Sequence, residues 1–187
     1  MKTYTELPLT IADLDATPDD GNRYELIDGE LYVSTAPQFF HQSILTAILV
    51  AFFEYLRENP IGRVAPGVVV VFDDFNGVIP DLVFLTNERM NKILVGGRLV
   101  DAPEIVVEIL SPGVSNERRD RHVKRKLYSA RGVHEYWIAD PDTRSLEIYR
   151  NRKQGGLVFH TKLQTGDEVA SALLPGFSLP VESIFAE

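Results

Sequence analysis

Pro103-Glu-Ile-Val-Val-Glu-Ile-Leu-Ser-Pro112, the basic run from Asn116 to Lys126 and then His134-Glu-Tyr-Trp-Ile-Ala139 decide the fold of this chain. The first and third segments are short apolar runs bounded by Pro and Gly, as buried strands are. Between them, Ser115 or Asn116 can cap a helix that reaches about Arg131 and stops at Gly132. A strand, a helix and a second strand of these lengths make a right-handed crossover between parallel neighbours. The expected class is therefore α/β, a mixed β-sheet flanked by helices.

Working outward, Arg23-Tyr-Glu-Leu-Ile-Asp28 and Glu30-Leu-Tyr-Val-Ser34 alternate around Asp28-Gly29, a hairpin signal. Phe40, Ile44, Leu45, Ile48, Leu49, Phe52 and Leu56 then recur at helical spacing up to Asn59-Pro60. Val68-Val-Val-Val-Phe72 reads as a buried strand whose turn, Asp73 to Gly77, leads into the Asp81 strand as a second hairpin. A polar stretch from Thr86 to Asp101 carries Gly96-Gly97, read as a mobile loop. Ser145-Leu-Glu-Ile-Tyr149 and Gly156-Leu-Val-Phe159 add strands, and the apolar tail Leu173 to Leu179 is expected to pack on the body. One domain over 1–187 is expected: a loosely held lead-in (1–20), a core (21–150), and C-terminal strands and tail (151–187).

Composition narrows the setting. The absence of cysteine excludes disulfides and thiolate-bound zinc and suits a reducing cytoplasm. The first residues lack the layout of a signal peptide, and the run Ile44 to Leu56 is too short to span a bilayer, so no membrane role is expected. A net charge of −8 argues against avid non-specific nucleic-acid binding. Yet Glu117 to Lys126 holds six Lys/Arg against two acids, a local +4 on a remainder of −12. Such a strip suits a limited phosphate contact, with Arg118 and Arg121 as candidate phosphate ligands; the alternative is a solvated helix face.

Two acids stand out. Asp81 and Glu108 lie inside the most apolar strand-like runs, Val78-Ile-Pro-Asp-Leu-Val-Phe-Leu85 and the one quoted first. An ionised carboxylate there is costly unless it is paired or bound to a cation. On neighbouring strands the two would lie at similar depth, and Mg²⁺ takes one or two carboxylates together with waters and substrate phosphate. The alternative is a turn-capping Asp81 and a Glu108 paired with arginine. Lys124 is the best-placed base: Asp120, Lys124 and Tyr128 are four apart, beside the stripe Val123, Leu127 and Ala130. It could face Glu108, or be an ordinary helix pair with Asp120 worth about 0.3–0.5 kcal/mol. Lys126, about 200° away around the helix, is the substitute if the register differs. Glu25, His41 and Asp120 are accessory candidates, although Glu25 flanks a hairpin turn where exposed acids are normal and a lone histidine is more often capping than liganding.

Tyr24-Glu-Leu-Ile-Asp-Gly-Glu30, Pro80-Asp81, Val106-Val-Glu-Ile-Leu-Ser-Pro112, the Asp120–Lys124–Tyr128 spacing and Gly132-Val-His-Glu-Tyr-Trp-Ile-Ala-Asp-Pro141 occur in that order. Together they resemble the Uma-type restriction-endonuclease family, a branch of the PD-(D/E)XK nuclease superfamily. The resemblance runs from about Tyr24 to Tyr149 and implies a restriction-endonuclease-like core. It also implies Mg²⁺-dependent phosphodiester hydrolysis, with Mn²⁺ as a substitute, DNA as the partner and a homodimer where both strands are cut. Asp81 matches the Asp of the Pro-Asp motif and Glu108 the second acid, both as metal ligands, and Glu25 matches a recurrent glutamate. The superfamily lysine is missing, since Leu110 stands in its place; Lys124 matches the helix lysine that substitutes in this family. A nuclease-fold protein of weak or no activity, serving as a nucleic-acid-binding or protein-assembly module, is the rival reading.

Overall fold

The structure, a computed structural model, describes residues 7–152 and 155–186. The predicted crossover forms. Strand β9 (Ile105–Ile109) lies parallel to β10 (Glu135–Asp140), with Val106 opposite Tyr136 and Glu108 opposite Ile138. The helix between them, α4 (114–131), ends where Gly132 takes φ 82 and its N–H bonds back to Ser129 and Tyr128, a left-handed cap that glycine adopts without strain.

The preceding elements are α1 (Ile11–Asp15), β1 (Arg23–Ile27), β2 (Glu30–Ser34), α2 (Phe39–Glu58), β3 (Gly62–Pro66), β4 (Val70–Asp73), β5 (Asn76–Val78), β6 (Leu82–Thr86), α3 (Asn87–Ile93), β7 (Leu94–Val95) and β8 (Arg98–Leu99). After β10 come β11 (Ser145–Arg152), β12 (Gly156–Leu163), β13 (Glu168–Ser171), β14 (Leu174–Pro180) and a closing helical turn, Val181–Ile184. A central sheet runs β12-β11-β10-β9-β6-β3, a second sheet β2-β1-β5-β4-β8-β7, and β13 pairs with β14.

Alternation on the central strands builds two cores. Leu82, Phe84, Ile105, Val107, Ile109 and Trp137 meet Ile44, Ile48 and Phe52 of α2, along with Phe177 and Leu179 of β14. The opposite residues Val83, Val106, Tyr136 and Ile138 meet Leu127 and Tyr128 of α4 and Val70 and Val78 of the second sheet. At 20 residues, α2 is longer than the apolar run that first marked it. By length and composition alone it could cross a membrane; its Ile44, Leu45, Ile48, Phe52 and Leu56 are buried in the core. Phe52 is fully buried against Phe84, Trp137 and Phe177, with ring centroids 5.1–6.0 Å away. Phe52→Ala is expected to cost about 3–5 kcal/mol in urea unfolding; a cost below about 1 kcal/mol would mean the α2 core is loosely packed.

Four expectations are corrected. The lead-in is docked from Leu9 onward: Leu9 N–H bonds Gly29 O and Ile11 N–H bonds Asp74 O, and Arg98 pairs with Asp15 at 2.7 Å. Gly96 and Gly97 form the turn of the β7–β8 hairpin rather than a mobile loop, since both have positive φ and so match the twist of a two-residue turn. Ala130 of the predicted helix stripe is exposed, whereas the apolar tail packs on the body as expected, with Leu174, Phe177 and Leu179 buried in the core.

The fourth correction shapes the site. The second hairpin is β4–β5, and the run continuing into β6 is broken at Ile79-Pro80-Asp81. Proline supplies no N–H to a ladder and restrains the residue before it, so strand pairing stops there. The chain leaves the second sheet after Val78 and joins the central sheet at Leu82. Asp81 is left at that junction, at the mouth of β6.

Candidate active site

β6 runs antiparallel to β9 with Leu82 opposite Val107, so Asp81 lies next to Glu108 across the two strands. Both are buried, as are Glu25, His41, Asp120 and Lys124. The sequence singled out all six, and the fold gathers them.

Asp81 is held from three directions. Arg23 Nη1 donates to Oδ1 at 3.0 Å, while Oδ2 accepts the Ile109 amide at 2.9 Å and faces His41 Nε2 at 3.1 Å. Burial by itself would raise this carboxyl. The bond and charge of His41, the Ile109 amide and the Lys124 charge outweigh it and hold Asp81 at about 2. His41 comes from the first turn of α2, and its Nδ1 is buried without a hydrogen-bond partner among the described residues.

Glu108 is in the opposite state. Its Oε1 accepts both Lys124 Nζ at 3.0 Å and Tyr128 Oη at 2.8 Å. Lys124 Nζ also reaches Glu25 Oε1 at 2.9 Å and lies 4.0 Å from Asp120. Burial is the main pressure on Glu108; Lys124 resists it, while Asp81, Asp120 and Glu25 add to it, and the carboxyl is pushed up to about 8. Lys124 is likewise desolvated, but the surrounding carboxylates dominate and hold it firmly protonated. Burial also raises Asp120 against the pull of Lys124 and Arg119. The cluster is thus short of positive charge at Glu108.

Helix α4 delivers the lysine through an unusual turn. Residues Arg119–Lys124 are π-helical, and Asp120 and Lys124 are the buried residues of that turn. Widened turns of this kind recur at functional sites. Glu25 reaches the lysine because β1 pairs with β5, and its Oε1 also accepts the Ile79 amide at 2.8 Å. Its burial corrects the expectation of an exposed turn acid.

The two predicted phosphate ligands are elsewhere. Arg121 is tied to Asp140 at 2.7 Å and Glu147 at 2.5 Å, and Arg118 stays exposed on the helix surface. Neither lines the cavity of about 630 Å³ onto which Asp81, Glu108, Asp120 and His41 open; the arginine of α4 found there is Arg119. Sequence reasoning missed Arg23, Arg119 and the Tyr128 bond to Glu108. The only signal for them was adjacency, Arg23 lying two residues before Glu25 and Arg119 one before Asp120.

Among the described residues, no group of three or more His, Cys, Asp and Glu is placed to hold a metal ion. A two-carboxylate site is still compatible with the donor set. Asp81 Oδ1 accepts a single bond, and Glu108 Oε2 receives no donor from the described residues. Mg²⁺ takes one or two carboxylates and completes its shell with water. Its charge would also answer the shortage at Glu108.

That shortage has a measurable signature. Glu108 loses its proton near 4.5 when unfolded and near 8 when folded, so the folded chain binds more protons between these values. Stability of the metal-free protein should therefore fall as pH rises through this window, at up to about 1 kcal/mol per pH unit. Asp81, lowered from 3.8, acts oppositely and only in acid, below about pH 4. Urea midpoints from pH 5 to 8.5 should decline in wild type and flatten in Glu108→Gln; equal slopes would assign the proton elsewhere.

A mixed central sheet covered by helices, with an acid pair at a strand junction, defines a nuclease-like α/β protein. The crystal structure of a putative nuclease belonging to DUF820 from Anabaena variabilis ATCC 29413 is similar to it. The TM-score is 0.76 at 19% identity, covering 96% of this chain and 98% of that one. The chain belongs to the Uma2 family, described as "Putative restriction endonuclease", whose model matches residues 9–182. Comparison with curated proteins finds no match.

Proposed function

We propose that the chain is a Mg²⁺-dependent endonuclease that hydrolyses DNA phosphodiester bonds, with Mn²⁺ able to replace Mg²⁺. One observation carries this reading: Asp81 and Glu108 meet on neighbouring strands and open on one cavity, with Lys124 fixed to Glu108. Asp81 and Glu108 would hold the ion, which supplies polarisation of a phosphate oxygen and a more acidic water. Arg23, His41 and the Ile109 amide orient Asp81. Tyr128 fixes the Oε1 side of Glu108 and leaves Oε2 without a donor from the described residues. Lys124 is protonated and cannot accept a proton, so its role is to stabilise negative charge developing on the phosphate. Cutting both strands would require two copies, a homodimer.

The rival, a nuclease-fold binding or assembly module, draws on one feature: the Lys124 ammonium is already shared by Glu25 and Glu108. Incubation of supercoiled plasmid and single-stranded DNA with Mg²⁺ or Mn²⁺ separates the two. Metal-dependent nicking abolished by chelation is expected; folded protein that binds neither ion and cuts neither DNA would leave the module reading standing.

A further inference from the structure

We infer that Phe39 and Phe40 form a base-stacking subsite at the lip of the acidic cavity, and that the substrate presents unpaired bases beside the scissile phosphate. This inference rests on the nuclease reading and narrows its substrate to unpaired nucleic acid. Phe40 lines the same cavity as Asp81 and Glu108, yet is 62% exposed, and Phe39 is 80% exposed. Both lie in the first turn of α2, directly before His41. Neither joins a core cluster, unlike Ile44, Ile48 and Phe52 on the same helix. The rings meet edge to face, with centroids 6.0 Å apart and planes at 79°, so they are not stacked face to face on each other. Val33, 53% exposed, continues this apolar lip along the cavity wall.

The charge around the cavity says why such a lip matters. Carboxylates outnumber cations along its wall, Arg119 is paired with Asp120, and Arg121 is occupied outside it. The whole chain carries −8. Attraction to a polyphosphate backbone is therefore weak here, and affinity has to come from contacts indifferent to charge. Stacking on an aromatic face is such a contact, and every base offers it. In an intact duplex the base faces are covered by their neighbours, so a ring beside the phosphate could reach one only after unstacking. Unpaired strand, DNA or RNA, meets the lip without that cost.

The test uses oligonucleotides carrying 2-aminopurine, as single-stranded DNA, single-stranded RNA and DNA duplex, bound by full-length Asp81→Asn so that nothing is cut. Quenching and tighter binding are expected for the single strands over the duplex. Adding Phe39→Ala and Phe40→Ala should cost roughly tenfold to a hundredfold of single-strand affinity, with thermal unfolding unchanged because both rings are exposed. Phe40→Trp should retain binding, and Phe40→Leu should not. Equal affinity for duplex and single strand, rescue by leucine, or no loss in the double variant would overturn the inference. So would a change of oligomeric state in sedimentation, which would make the lip a contact between copies. Cleavage of single-stranded DNA and of plasmid by the wild type is scored separately: cleavage of either without stacking removes only this inference, and stacking without cleavage of either removes only the nuclease reading.

Discussion

Asp81→Asn and Glu108→Gln are each expected to lower metal-dependent cleavage at least about a thousandfold, as loss of a charge that holds the ion should. The fold should survive both, since each substitution keeps shape and one acceptor oxygen. Their effects on stability should have opposite signs. Asp81 is held at about 2, so the folded state favours its charge, and Asn leaves the Arg23 guanidinium without its counter-ion. Metal-free Asp81→Asn should melt below wild type at pH 8. Glu108 is pushed up to about 8, so the fold resists its charge, and Gln relieves that pressure. Glu108→Gln should melt at or above wild type at that pH. Calorimetry and plasmid cleavage on the same preparations decide the matter: wild-type cleavage in either variant would make these structural carboxylates and end the nuclease reading.

Loss of Lys124 should be the most damaging change on α4. Its ammonium is buried among Glu25, Glu108 and Asp120, and removing one partner of a buried ion cluster costs about 3–5 kcal/mol. Lys124→Met, which keeps the stem, should therefore show a lower urea midpoint and a turnover reduced at least a hundredfold while it is still folded. Arg125→Ala is the control. The Arg125 guanidinium sits 5.0 Å over the Tyr149 ring rather than among Glu25, Glu108 and Asp120. Its removal should change turnover no more than severalfold. Lys126 is exposed, so the helix register selects Lys124 of the two. Equal losses in Lys124→Met and Arg125→Ala would reduce the basic strip to a diffuse phosphate-attracting surface.

What the sequence determined alone is what short-range physics decides. The crossover follows from apolar runs, a helical stretch and the Gly132 cap, each readable within a few residues. The Asp28-Gly29 hairpin follows from two residues that accept positive φ, here 51° and 77°. The cost of ionised carboxylates in apolar strands was enough to single out Asp81 and Glu108, and four-residue spacing put Asp120, Lys124 and Tyr128 on the side of α4 that is buried.

Tertiary structure decided the partners. Arg23 and His41 meet Asp81 across 58 and 40 residues of chain, and those contacts depend on where β6 begins. That point is set by Pro80, which passes the chain from one sheet to the other, a switch no local periodicity announces. Glu25 is buried only because β1 pairs with β5 beneath the lysine. Arg118 and Arg121 show the converse. Both belong to one basic run, but the ends of β10 and β11 commit Arg121 to Asp140 and Glu147 and leave the cavity to Arg119. Charge along a chain says which residues can pair; only the packing of distant strands and helices says which of them do, because Coulomb and hydrogen-bond partners are chosen at ångström range.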